Sequence, residues 1–153
     1  MTHSKKYIYL KYSFITALLS IVFISGVHGQ QTPAERLVGN WYFDDASSFA
    51  TMDERSRAQM DTIPQLKSQV LDSYRGRRLN IAQDGSCSLS LANGQTAVFS
   101  WSLTNDGTLT LTNSSGATVQ ESVKVLTPNR LVLVPSARGN ARSIIAEQHF
   151  IRQ

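Results

Sequence analysis

The most constraining feature of this chain is a period-two alternation of apolar and polar residues that runs from residue 77 to the C-terminus. Turn residues interrupt it at intervals of about ten residues. Asn93-Gly94, between two alternating runs, is the strongest short signal for a β-hairpin. A period of two is typical of strands with one buried face. The pattern therefore predicts seven consecutive strands, around residues 79–81, 87–91, 97–103, 109–111, 119–125, 131–133 and 144–152.

An eighth strand is predicted upstream, at residues 36–43, where Gly39, Trp41 and Phe43 alternate with polar or outward positions. Short antiparallel strands joined mostly by hairpins favour an up-and-down meander, and closure of the sheet removes its exposed edges. The predicted fold is all-β: an eight-stranded antiparallel up-and-down barrel with a helical insert between the first and second strands.

The insert covers about residues 46–75. Thr51 and Glu54 have the spacing of a capping box at a helix N-terminus. A second helix is predicted to begin around residues 62–64, because proline is accepted in a first turn. Its apolar residues recur at helical spacing on one stripe: Ile63, Leu66, Val70 and Tyr74. The two helices are expected to cover one end of the barrel.

The N-terminus resembles an export signal. Lys5, Lys6 and Lys11 precede an apolar run at residues 14–27, which is shorter than the approximately 20 residues of a membrane-spanning helix. We expect a signal peptide at 1–29, a mature domain at 30–153, and a periplasmic or secreted location; the alternative is an uncleaved N-terminal membrane anchor. Removing these three lysines from the 15 basic residues leaves 12, against 11 acidic residues, so charge gives little support for nucleic-acid binding.

Two motifs resemble those of the lipocalins and of the bacterial, Bacteroidetes-type lipocalin-like domains of the calycin superfamily. The first strand carries Gly39-Asn40-Trp41, similar to the lipocalin Gly-x-Trp signature, and residues 101–111 read WSLTNDGTLTL. The resemblance implies that the glycine bends the strand and that the tryptophan closes one end of the barrel. It also implies a basic residue packed across the tryptophan ring, with Arg152 as the first candidate and Arg130 as the second.

The inward positions predict a binding site for a small hydrophobic or lipid-like ligand. They are Leu79, Ile81, Leu89, Leu91, Phe99, Trp101, Leu109, Leu111, Val123 and Leu131. Glu121, Gln148 and Arg78 are the candidate polar contributors. The alternative is a filled barrel that acts as a protein-interaction or inhibitor module. An exposed apolar rim around Tyr42, Phe49 and Met52 would favour that alternative.

Catalytic and metal chemistry have little material in this chain. Beyond residue 29 there is one cysteine, Cys87, and one histidine, His149. This excludes a disulfide framework and a Cys/His zinc site within that part of the chain. Cys87 is in phase with Leu89, which predicts a buried, inert thiol. We expect a non-enzymatic monomer without a metal or cofactor, contacting membrane only through an uncleaved signal segment.

Overall fold

The computed structural model describes residues 31–136 and 143–153. Eight strands form a closed barrel in which each strand pairs antiparallel with the next, and the last pairs with the first. The predicted fold class is confirmed. The predicted signal peptide, residues 1–29, lies outside the described residues. The strands are β1 Gly39–Phe43, β2 Arg78–Ile81, β3 Ser86–Ser90, β4 Thr96–Leu103, β5 Thr108–Asn113, β6 Thr118–Leu126, β7 Arg130–Pro135 and β8 Gln148–Arg152.

Among the described residues, one short helix precedes the barrel and three lie between β1 and β2. They are α1 Pro33–Leu37, α2 Asp45–Ala50, α3 Glu54–Thr62 and α4 Pro64–Tyr74. The prediction that the first strand begins at residue 36 is wrong, because residues 36 and 37 belong to α1. Thr32 caps this helix in a reciprocal capping box with Glu35, and Pro33 occupies its first turn. The Thr-Pro-x-Glu pattern of residues 32–35 is the sequence signal for this helix start.

The insert is helical as predicted, but its caps differ. Asp53, not Thr51, caps α3 by accepting a hydrogen bond from the Ser56 amide at 2.9 Å. Thr51 instead ends α2, and its hydroxyl donates to the Ser48 carbonyl at 2.7 Å. The same hydroxyl accepts from the Glu147 amide at 3.1 Å. Thr51 therefore ties the insert to the segment that leads into β8.

This contact explains why the last strand is shorter than predicted. β8 begins at Gln148, not at residue 144. Since the Glu147 amide bonds to Thr51, it is not available to the β7–β8 ladder. Ile145 is fully buried and belongs to the core, while its neighbour Ile144 is exposed. Ile145 therefore packs in the core before the strand starts.

Trp41 closes one end of the barrel. Its side chain has no exposed surface, and its indole Nε1 donates to the Leu37 carbonyl at 2.8 Å. The guanidinium carbon of Arg152 lies 4.4 Å from the ring centre, while its Nη2 donates to the Arg36 and Val38 carbonyls at 2.8 and 2.9 Å. This is the cation–π geometry expected of Arg152.

Gly39 is needed where β1 enters this end. Its φ is +147°, a conformation that other residues rarely adopt, and a Cβ there would lie 3.0 Å from Arg152 Nη2. The glycine therefore leaves room for the guanidinium above the Trp41 ring.

An aromatic cluster joins the insert to the opposite end. The ring of Phe43, at the end of β1, lies 5.6 to 6.0 Å from the rings of Phe49 in α2, Tyr74 in α4 and Phe150 in β8. Such separations are favourable for offset and edge-to-face pairs. We call this end, where β1 leaves and β2 enters the barrel, the mouth. The insert covers the β1 and β8 side of the mouth.

Candidate functional site

The ten residues predicted to line the barrel fall into three groups. Five are buried in the core: Leu79, Ile81, Leu109, Leu111 and Leu131. Four pack against that core but remain half-buried: Leu89, Phe99, Trp101 and Val123. Leu91 is also half-buried, but it lies after the end of β3, in the turn before β4.

The accessibility of the inward positions therefore differs from strand to strand. On β1, β2, β7 and β8, the inward positions are sealed, as Trp41, Leu79, Leu133 and Phe150 show. On β4 and β6, the inward positions keep part of their surface accessible along the whole strand, from Phe99 to Leu103 and from Val119 to Val123.

Glu121 places a carboxyl on the accessible inward face. It lies on β6 between Val119 and Val123, opposite the fully buried Leu109 of β5. Gln148, buried on β8, approaches it with Nε2 at 3.4 Å from Oε1. Burial raises the pKa of Glu121, and the nearby charge of Arg77 opposes that rise. Two of the three predicted polar contributors, Glu121 and Gln148, thus lie together.

Arg78, the third predicted contributor, does not face the interior. It is exposed, with its guanidinium carbon 5.4 Å from the centre of the Tyr42 ring. Since side chains alternate along a strand, Arg78 takes the opposite face from Leu79. The prediction that Arg78 contributes a polar group to the barrel interior is therefore wrong.

Arg77 takes the place that was predicted for Arg78. It is two positions before the buried Leu79 and so shares its inward phase. Its Nε donates to the Ser73 carbonyl at 2.7 Å, and its guanidinium carbon lies 3.9 Å from the centre of the Tyr74 ring. Burial lowers the pKa of Arg77, while Tyr74 and, to a smaller extent, the charge of Glu121 act in the opposite direction. Extending the period of two backwards from Leu79 would have identified this residue.

Cys87 is a buried thiol, 2% exposed, opposite Phe99 in the β3–β4 ladder. Burial, with a smaller contribution from the charge of Glu121, raises its pKa to about 11. The group is therefore protonated near neutral pH, and a thiol is a poor nucleophile.

His149 belongs to a different environment. It follows Gln148 on β8 and therefore points away from the barrel interior. Arg130 donates to its Nδ1 at 3.0 Å, and Glu147 lies 3.6 Å from its Nε2. Burial is the main reason that its pKa is lowered, with the charge of Arg130 adding to it. His149 and Cys87 are thus held on opposite faces of the sheet.

The three residues proposed for an exposed apolar rim do not form one. Met52 is 6% exposed, and Phe49 packs edge-on against Phe43 and Tyr74. Tyr42 is half-buried beside Arg78. These three residues therefore do not supply the exposed apolar rim that would favour the protein-interaction alternative.

A groove of about 450 Å³ lies at the closed end, between α1, the β4–β5 hairpin and the end of β6. Its volume is in the range of small-ligand sites. Val123 is the one predicted lining residue that reaches it, beside Leu103 and Leu126. Glu121 and Arg77 do not line this groove. We therefore treat the mouth-side interior as the candidate site.

Within residues 31–136 and 143–153, no group of three or more acidic, histidine or cysteine side chains could hold a metal ion. None of the helices in these segments is long and apolar enough to cross a membrane. Comparisons with protein-family models, curated proteins and solved structures each found no match.

Proposed function

We propose that this protein is an exported, lipocalin-like binding protein that holds a small hydrophobic or lipid-like ligand inside its barrel and catalyses no reaction. The accessible inward face of β4 and β6 is the observation that carries the proposal. Phe99 and Val119 point inward yet remain half-buried. A ligand would cover this apolar surface and gain about 25 cal/mol for each Å² removed from water.

The polar groups at this face also favour binding over a purely structural core. A desolvated carboxyl costs free energy unless it is paired, and within residues 31–136 and 143–153 Glu121 has one long hydrogen bond, from Gln148. Apolar sites with a few convergent polar groups and perturbed pKa values are typical of ligand pockets. Glu121, Gln148 and Arg77 form such a set on the inward side of three different elements.

Export and the absence of catalysis rest on separate observations. The lysines and apolar run of residues 1–29 have the composition of a signal peptide. The high pKa of Cys87 and its separation from His149 leave the thiol without a base to activate it. The Gly39, Trp41 and Arg152 arrangement supports the lipocalin-like assignment.

Native mass spectrometry tests the proposal most directly. The full chain, expressed with its leader and purified gently from the exported fraction, is expected to carry an apolar mass that denaturation removes. Added fatty acids and lipids should produce the same shift in protein stripped of ligand. A bare protein mass with no shift across that panel would contradict the proposal and favour the filled barrel.

A matched pair of variants locates the ligand. Val119→Trp adds a large side chain at a half-buried inward position and should abolish binding. Val98→Trp adds the same side chain on the outer face of β4, where Val98 is 65% exposed, and should leave binding unchanged. Equal effects of the two substitutions would place the ligand outside the barrel.

A further inference from the structure

We propose that the groove at the closed end of the barrel is a second binding site, separate from the barrel interior, and that it takes a small apolar carboxylate. The groove holds about 450 Å³ between α1, the β4–β5 hairpin and the end of β6. The carboxylate would pair with Arg36, and the apolar part of the ligand would cover Leu103, Val123 and Leu126. This site does not depend on the ligand proposed for the barrel interior.

The apolar floor of the groove is built by a bulge in β6. Val123 pairs with Leu133 and Leu126 pairs with Leu131, so three steps along β6 match two steps along β7. In a regular strand, residues 123 and 126 would take opposite faces, because side chains alternate. The bulge brings both onto the groove, where they remain half-buried beside Leu103. Bulges that re-aim a side chain are common next to functional sites.

Arg36 brings an unpaired charge to this apolar groove. Among the described residues that line the groove it is the one charged side chain, and no ion pair joins it to a carboxylate. All 11 acidic residues of the chain lie within residues 31–136 and 143–153, so the remaining segments have no carboxylate side chain to offer it. Its Nε is buried and has no hydrogen-bond partner in the described part of the chain. A desolvated donor without a partner costs free energy, which a bound anion would recover.

The two acidic residues adjacent in the chain to groove-lining residues already serve local hydrogen bonds. Glu35, which precedes Arg36 on α1, accepts from the Thr32 amide at 2.7 Å. Asp106, in the β4–β5 hairpin, accepts from the Thr104 hydroxyl. Both carboxylates thus stabilise the elements that carry them, a helix start and a hairpin turn. The charge of Arg36 is therefore left for a ligand.

The surroundings of Arg36 favour a carboxylate over other head groups. Arg152 Nη2 donates to the main-chain carbonyl of Arg36 at 2.8 Å, so a cationic ligand would meet a second guanidinium nearby. A guanidinium presents two parallel N–H donors that match the two oxygens of a carboxylate. One arginine in the lining balances the single charge of a carboxylate, whereas a phosphate monoester carries up to about two.

Amide NMR titration of the isotope-labelled exported protein, stripped of ligand, tests this inference and detects weak binding residue by residue. The probes are octanoate, octyl phosphate, octanol and octyltrimethylammonium, all below their micelle concentrations. We expect octanoate to shift the amides of Ala34, Arg36 and Gly107, which belong to the groove. Its affinity there should exceed that of octanol about tenfold or more, as expected for a charge-assisted hydrogen bond.

Two matched pairs of variants assign the binding to the groove. Arg36→Met should remove the preference for octanoate, whereas Arg55→Met, at an exposed position of α3, should keep it. Ala34→Trp adds a large side chain in the groove and should abolish binding, whereas Ala58→Trp, at an exposed position of α3, should not. Val119→Trp, which fills the barrel interior, should leave the groove shifts unchanged. Thermal unfolding establishes that each variant is folded, and the comparison of probes on the parent protein needs no variant.

The remaining outcomes would overturn this inference. Equal or tighter binding of octanol, octyl phosphate or the ammonium probe at the groove, or no shift of the groove amides by any probe, would refute the carboxylate site. Groove shifts that appear in a chain retaining residues 1–29 and vanish in the cleaved protein, without an octanoate effect, would assign the groove to the leader instead. Shifts confined to inward residues of β4 and β6 would support the proposed function while refuting the second site.

Discussion

Replacing Trp41 by alanine tests the closed end of the barrel. The side chain is fully buried, so the whole transfer free energy of the indole is lost. Its Nε1 also leaves the Leu37 carbonyl without its donor, and Arg152 loses the ring beneath its guanidinium. Large-to-small replacements of this kind cost about 3–5 kcal/mol, and the two additional losses place Trp41→Ala near the upper end, at about 4–5 kcal/mol.

Trp101 provides a matched control on the same chain. Its Nε1 donates to the Ala82 carbonyl at 2.8 Å, the same kind of bond at the same distance. It is, however, half-buried and has no guanidinium over its ring within the described residues. Because part of its surface is already in water, Trp101→Ala should cost less, about 2–3 kcal/mol.

The free energy of unfolding is measured by urea titration of both variants and the parent protein. Far-UV circular dichroism is the signal, because either substitution changes the tryptophan fluorescence. A loss from Trp41→Ala below about 1.5 kcal/mol, or no greater than that from Trp101→Ala, would refute the assignment of Trp41 as the residue that closes the barrel.

Three further predictions follow from the titratable groups. Glu121→Gln should raise the urea midpoint at pH 7, because burial raises the pKa of the carboxyl and its ionised form therefore destabilises the fold; the gain should shrink towards pH 4, and an unchanged or lowered midpoint at pH 7 would contradict it. His149 has a lowered pKa in the folded chain, so the unfolded chain binds more protons, and stability should fall as pH drops below about 6.5. Urea midpoints from pH 5 to 8 should show this slope in the parent protein and a weaker one in His149→Asn; equal slopes would show that other groups are responsible. Cys87 should react with a thiol reagent at pH 8 only slowly when folded and rapidly in urea, since it is buried with a pKa of about 11; equal rates would mean that the site is open.

The strand order and most of the inward positions could be predicted because hairpins are local. A turn such as Asn93-Gly94, where Gly94 has a φ of +86°, sets the register of the strands on either side within a few residues. The period of two then assigns each side chain to a face. Glu121 and Gln148 were identified as candidates in this way, and Arg77 could have been.

The errors lie where distant segments compete for the same backbone groups. The last strand begins late because the Glu147 amide bonds to Thr51, 96 positions earlier in the chain. The same contact draws Thr51 away from the cap that its spacing predicted for the next helix. Neither the start of β8 nor the capping residue of α3 can be predicted from neighbouring residues alone. In each case the same backbone groups can form hydrogen bonds in either arrangement.

The sequence by itself therefore determined the eight strands, their pairing order and the inward phase of most lining residues, since these depend on turn chemistry and alternation. Only the tertiary structure decided how the interior is used. Closure pairs Trp41 with Arg152 across the β1–β8 seam, and the insert packs its aromatic rings onto one side of the mouth. The inward positions of β1, β2, β7 and β8 are thereby buried, while those of β4 and β6, Glu121 among them, remain partly exposed. The side chains of eight strands and an insert share the interior of the barrel. How completely they fill it therefore depends on all of these elements together and on no single segment.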